Sequence, residues 1–167
     1  MTIDIVREAM LGLACLTLIA ATIWDVALRT IPNTVCSGLA IFALGLRGLD
    51  RDIPTALIAG AVVFALAFVC WMRGWLGGGD VKLLGAVAFL VPPTGVPGLL
   101  AYITMAGGGL AVCYLLLSLV VPAPRGQPPG HIILRLVRME RWRISRRRSL
   151  PYAFAITAGA FFTLLNG

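Results

Sequence analysis

Charge is scarce in this sequence. Only 13% of its 167 residues are Asp, Glu, Lys or Arg, and 59% are hydrophobic, whereas soluble domains carry about 25% charged residues. A water-soluble globule is excluded. The composition points to an all-α, polytopic integral membrane protein, and 167 residues suit a single domain over 1–167. Histidine is nearly absent: His131 is the only one, so neither a His-based triad nor a His-rich metal site can be assembled. Serine is limited to Ser37, Ser118, Ser145 and Ser149, none in the G-x-S-x-G setting of a nucleophile elbow. The four cysteines, Cys15, Cys36, Cys70 and Cys113, lie far apart inside apolar runs. With no C-x-x-C, a zinc knuckle has no ligands, and the cysteines read as small packing residues. No metal and no cofactor is expected. The opening MTIDIVRE sets Asp4 and Glu8 against Arg7, a poor charged region for a cleaved signal peptide, so the first apolar run is expected to stay as a membrane helix.

Long hydrophobic runs, by contrast, are abundant. Breaks at Pro, Gly and charge divide them into six, roughly Ile5–Trp24, Thr34–Leu46, Thr55–Met72, Lys82–Val91, Leu99–Val121 and Pro151–Leu165, which predict about six transmembrane helices. The net charge of +7 is concentrated, eight of fourteen basic residues falling between Arg125 and Arg148. In a membrane chain such a stretch (122–149) reads as a cytosolic loop rather than a nucleic-acid surface. With six crossings, Arg29, Arg73, Lys82 and the eight arginines share one side, and Arg7, Arg47 and Arg51 the other. Eleven against three puts the first, third and fifth loops in the cytosol and both termini outside. Trp24, Trp71, Trp75 and Trp142 then fall near the cytosolic interface, where amphipathic rings favour the headgroups.

This topology brings two acids together. Asp25 ends the first segment and Asp80 opens the fourth, so both sit at the cytosolic face. Of the others, Asp4 and Glu8 flank the N-terminus, Asp50 and Asp52 lie in an outer loop, and Glu140 lies among arginines. The segments that follow Asp25 and Asp80 are short, ten residues in Lys82–Val91 making about 15 Å of helix against about 30 Å of hydrocarbon. Either the glycine run and the Ile-Pro-Asn turn are sunk below the surface around a wet cavity, or the helices extend through their Gly and Pro flanks. Two neighbouring carboxyls cannot both ionise easily. They share a proton, and with a water between them one can act as base and the other as acid in amide hydrolysis without metal or covalent intermediate. Bland readings stand beside this one: Asp80 as the N-cap of its helix, Asp25 as an i,i+4 ion pair with Arg29 or a helix-end charge at the interface. The glycines before Asp80 would permit positive φ and close approach of another chain.

The residues around these acids resemble a known family. Gly77-Gly78-Gly79-Asp80 fits the G-x-G-D signature of intramembrane aspartyl proteases, and GGGDVKLLGA resembles the type IV prepilin peptidases. Asp25-Val-Ala-Leu-Arg-Thr-Ile-Pro-Asn33 resembles their first aspartate motif, and Pro151-Tyr152-Ala153-Phe154-Ala155-Ile156 the opening of their last helix. The resemblance implies an enzyme of the bacterial inner membrane that removes the basic leader of pilin-like precursors at the cytosolic side. It implies catalytic roles for Asp25 and Asp80, with Gly77, Gly78, Gly79, Lys82, Pro32 and Asn33 in the supporting loops, a prepilin substrate, and pilus assembly machinery as a partner. Longer members carry a C-x-x-C domain that methylates the new N-terminus. This sequence has none, so it resembles the short form serving Flp/Tad pili, and no methylation is expected. Ala27 and Ala153 stand where basic residues and glycine are frequent in the family, departures that bear on substrate preference.

Other features have two readings each. Lys82 either snorkels to the interface or acts on Asp80 or substrate. HIILRLVRMERWRISRRR either forms an amphipathic helix on anionic lipid or is plain positive-inside anchoring; a basic leader would be repelled by it. Gly107-Gly108-Gly109 is expected to allow close helix contact. Competing classes are a non-enzymatic membrane scaffold of a pilus or secretion assembly and a proton-relay transporter, the latter disfavoured because no ionisable group lies centrally in any segment.

Overall fold

The computed structural model describes residues 2–122, 131–145 and 150–166, and every regular element among them is helical. Seven α-helices follow one another: α1 (Thr2–Leu28), α2 (Asn33–Asp50), α3 (Ile53–Met72), α4 (Gly78–Leu90), α5 (Val96–Val120), α6 (Ile132–Ser145) and α7 (Tyr152–Asn166), with a single 3-10 turn at Pro93–Gly95. The segments containing α1, α3 and α5 are long and apolar enough to cross a membrane. This is an all-α membrane protein, its outward surface covered with large apolar side chains such as Leu16, Ile58 and Met105. Each of the six apolar segments has its helix. The basic stretch adds a seventh, α6, while Arg125 and Arg146 to Arg148 lie outside the described residues.

The shortest α-helix is the innermost. α4 packs against α3, α2 and α7, and Val81, Leu83, Leu84, Val87, Ala88 and Leu90 are buried on it. α1 packs on α2 and α7, and α5 on α7 and α6. Contact between α5 and α7 is closest at Gly159, where an added Cβ would stand 2.8 Å from the backbone N of Ile103. The Gly107-Gly108-Gly109 expectation holds for Gly107, which faces Tyr152 and Ala155; among the described residues nothing packs against Gly108 or Gly109. Cys36 is buried as expected, but Cys113 is exposed, and all four thiols are free.

Two helices extend well past one end of their apolar runs for visible reasons. α2 continues past Leu46 to Asp50 because the Arg47 guanidinium, 3% exposed, is paired with Asp50 (3.0 Å) and Asp52 (3.1 Å). Arg7 of α1 joins the same cluster through Asp50 (3.3 Å). α4 starts at Gly78 rather than near Lys82, through two residues of low helix propensity. Even so, its thirteen residues make only about 20 Å of helix.

Candidate active site

Asp25 lies in the last turn of α1, and its side chain is 7% exposed. Its Oδ2 accepts a hydrogen bond from the backbone N–H of Ala153 at 3.2 Å. Ala153 is the second residue of α7, so the amide belongs to the unpaired first turn of that helix, where a carboxylate is favoured. One turn earlier, the Thr22 hydroxyl donates to Thr157 Oγ1 (2.8 Å), and the Thr157 hydroxyl donates to the Leu18 carbonyl (3.2 Å). These polar contacts hold α7 in register beside Asp25 in an otherwise apolar seam.

The ion pair between Asp25 and Arg29 is not formed. Arg29 ends α1 in the left-handed region, φ 54°, its N–H bonded to the Asp25 carbonyl at 2.8 Å. The guanidinium turns to Glu140 of α6 at 2.8 Å. Glu140 also accepts from the Tyr114 hydroxyl (2.8 Å) and from Arg143 (3.2 Å), and Arg143 in turn donates to the Val26 carbonyl (2.8 Å). Glu140 thus joins α1, α5 and α6 at the end of the bundle where Asp25 lies. In the sequence Glu140 stands alone as an acid among arginines, and that isolation is the signal it carries.

Asp80 is not the N-cap. Gly77 occupies that place, and Asp80 is the third residue of α4, its Oδ2 accepting from the Gly77 N–H at 3.3 Å. Nor do the three glycines take positive φ. Gly77 has φ −77°, and the positive value belongs to Gly74. Their role is room. A Cβ on Gly77 would stand 2.9 Å from Asp80 Oδ2, and one on Gly79 3.1 Å from the Ile31 Cβ. Gly78 faces the Trp71 indole nitrogen. The Ile31-Pro32-Asn33 turn therefore lies against the glycine run. Pro32 caps α2, and the Lys82 ammonium donates to Asn33 Oδ1 at 2.8 Å. Lys82 ties α4 to α2 instead of reaching freely for the interface.

The two carboxyls come within electrostatic reach of each other, although 54 positions separate them in sequence. All the predicted site residues gather at this end: Asp25 from the last turn of α1, Pro32 and Asn33 from the start of α2, Gly77 before α4, and Gly78, Gly79, Asp80 and Lys82 from its first turns. Asp50 and Asp52 are held by Arg47 at the opposite end of α1 and α2. Beside Lys82 and Asn33 opens a cleft of about 550 Å³ between α2, α3 and α4, floored by Gly60, Phe64, Gly85 and Phe89. Among the described residues, no three His, Cys, Asp or Glu side chains converge as metal ligands would.

Comparison with known proteins agrees with the motifs. The model of the type IV leader peptidase family matches residues 12–119, a stretch that contains both aspartates, the Ile-Pro-Asn turn and the glycine run. No curated protein and no solved structure matches the chain. With about two thirds of its length matched, the chain belongs to the type IV leader peptidase family and is an aspartic-type prepilin peptidase.

Proposed function

We propose that this protein cuts the leader from Flp-like prepilins at the cytosolic face of the bacterial inner membrane, with Asp25 and Asp80 as the catalytic pair, and that it does not methylate the product. The observation that carries the reading is the contrast between these two acids and Asp50, Asp52 and Glu140. Those three are each bound to arginine, whereas Asp25 and Asp80 accept hydrogen bonds from backbone N–H groups and form no ion pair among the described residues. A carboxyl that is held by an amide and not by a cation can take up and release a proton.

In this mechanism the pair shares one proton. A water between the two oxygens gives a proton to the ionised carboxylate as its oxygen attacks the scissile carbonyl. The protonated carboxyl donates to the developing oxyanion. Collapse of the tetrahedral centre breaks the C–N bond, and the proton held by the base passes to the leaving amine. The glycine run leaves space for an extended substrate backbone beside Asp80.

In this reading the chain crosses six times with both termini outside, and the chemistry lies on the cytosolic side. α4, at about 20 Å, falls short of about 30 Å of hydrocarbon, which sets Asp80 below the headgroups in a cavity that must be wet. The test is cleavage of a synthetic Flp-type precursor by purified protein in detergent, with a methyl donor present. One new, unmethylated N-terminus is expected. No cleavage of any leader-bearing precursor would leave the scaffold reading, and a methylated product would remove the short-form assignment.

A further inference from the structure

Arg29 comes directly after α1, four residues beyond Asp25, and its charge already reaches that carboxyl, so a direct contact between the two is the alternative to the one Arg29 makes. Arg29 is also equipped for that contact. Its side chain is only 16% exposed, and its Nε and Nη1 have no acceptor among the described residues. Buried guanidinium donors without partners are costly. The nearest remedy would be the carboxylate one turn back. The guanidinium is instead drawn to the α6 side by Glu140, whose Oε1 is 2.8 Å from Nη2 and whose Oε2 holds Arg143 at 3.2 Å. Tyr114 fixes the same carboxylate from α5.

We propose that Glu140 is a positioning residue that keeps the Arg29 guanidinium off Asp25, so that Asp25 stays able to exchange a proton. This rests on the reading of Asp25 as catalytic. The groups that act on Asp25 come from several sides: Arg29 just past the end of its own helix, Glu140 and Arg143 from α6, and the Ala153 N–H from α7; Asp25 in turn acts on Asp80 of α4. Among the two arginines, Arg143 is bound to the Val26 carbonyl as well as to Glu140. Arg29 is paired with Glu140, with the Tyr114 hydroxyl beside them. Remove the charge at 140, and Arg29 is the cation that turns. An ion pair then holds Asp25 as carboxylate, and the shared proton is lost from the pair.

The experiment is cleavage kinetics across pH on the full-length protein, for the wild type and for E140Q, R29Q and E140Q/R29Q. E140Q is expected to lower kcat at neutral pH by about tenfold or more, with KM little changed, and to move the acid limb of the pH–kcat profile down by about 1–3 units, the effect of an opposite charge at contact distance. R29Q should cleave at near wild-type rate. The double variant should recover most of the lost rate and the original profile, because the competing cation is gone. An E140Q protein with unmoved rate and profile overturns the proposal. So does loss in E140Q that R29Q does not rescue, because Glu140 would then only dock α6. Should E140Q not be recovered folded, the exchanged pair R29E/E140R keeps the link between the helices. Its acid limb should rise, from a carboxylate now placed beside Asp25, and an unchanged limb overturns the proposal. Asp25→Asn, assayed alongside, separates the two layers: full activity there removes the catalytic reading itself, whatever Glu140 does.

Discussion

At the residue scale, the two aspartates make hydrogen bonds that an amide can also make. Asp25 Oδ2 and Asp80 Oδ2 both accept, from Ala153 and Gly77 respectively, and the Oδ1 of asparagine accepts equally well. A structural role therefore tolerates Asn at either position, and a proton-sharing role tolerates it at neither. Asp25→Asn and Asp80→Asn are each expected to lower leader cleavage by roughly a thousandfold or more. The double variant should be little worse than either, since groups that act as a unit are far from additive. Melting curves in detergent should stay close to wild type. A folded Asp80→Asn protein that still cleaves at near wild-type rate would falsify the pair. Asp52→Asn gives the opposite pattern. It turns one ion pair of the buried Arg47 guanidinium into a hydrogen bond to a neutral amide, so it should cost about 1 kcal/mol of stability, while the rate per folded molecule stays unchanged.

At the element scale, α7 matters because its first turn supplies the amide on Asp25. Its seat on α5 has no slack at Gly159, where a Cβ would meet the Ile103 backbone. Gly159→Ala is expected to destabilise by about 1–3 kcal/mol, the usual cost of overpacking. Cleavage should fall with it, by more than the loss of folded protein, as the Ala153 N–H is pulled from the carboxylate; melting temperature and kcat on the same sample check both. Helix existence was legible in the sequence because a membrane span announces itself in apolar length. The ends were less so. Arg47 reads as a loop charge until Asp50 and Asp52 are seen around it. Gly78 and Gly79 read as non-helical by propensity, yet the tight seat against Trp71 and Ile31 lets tertiary packing prevail. At the site, the shared end of Asp25 and Asp80 followed from counting crossings. The replacement of the Arg29–Asp25 pair by Arg29–Glu140 could not, because it depends on where α6 folds back, and nothing local in a run of arginines singles out that contact.

At the scale of the whole molecule, the bundle has two ends of different chemistry. One holds Arg7, Arg47, Asp50 and Asp52 in mutual ion pairs. The other holds Asp25, Asp80, Lys82 and the basic helix α6, with the exposed indoles of Trp24, Trp71 and Trp142. We propose from the positive-inside bias that the second end is cytosolic; a basic α6 beside an anionic leaflet would add about 1 kcal/mol per Lys or Arg to that preference. The prediction concerns two exposed positions, Thr55 at the start of α3 and Arg141 on α6. In a background with the four native cysteines replaced, T55C should react with a membrane-impermeant maleimide on intact cells stripped of outer membrane, and R141C should not. Inside-out vesicles should reverse the pattern. The converse labelling would place Asp25 and Asp80 outside, where a precursor still carrying its basic leader on the cytosolic side could not reach them, and the assignment of the leader as substrate would go with it.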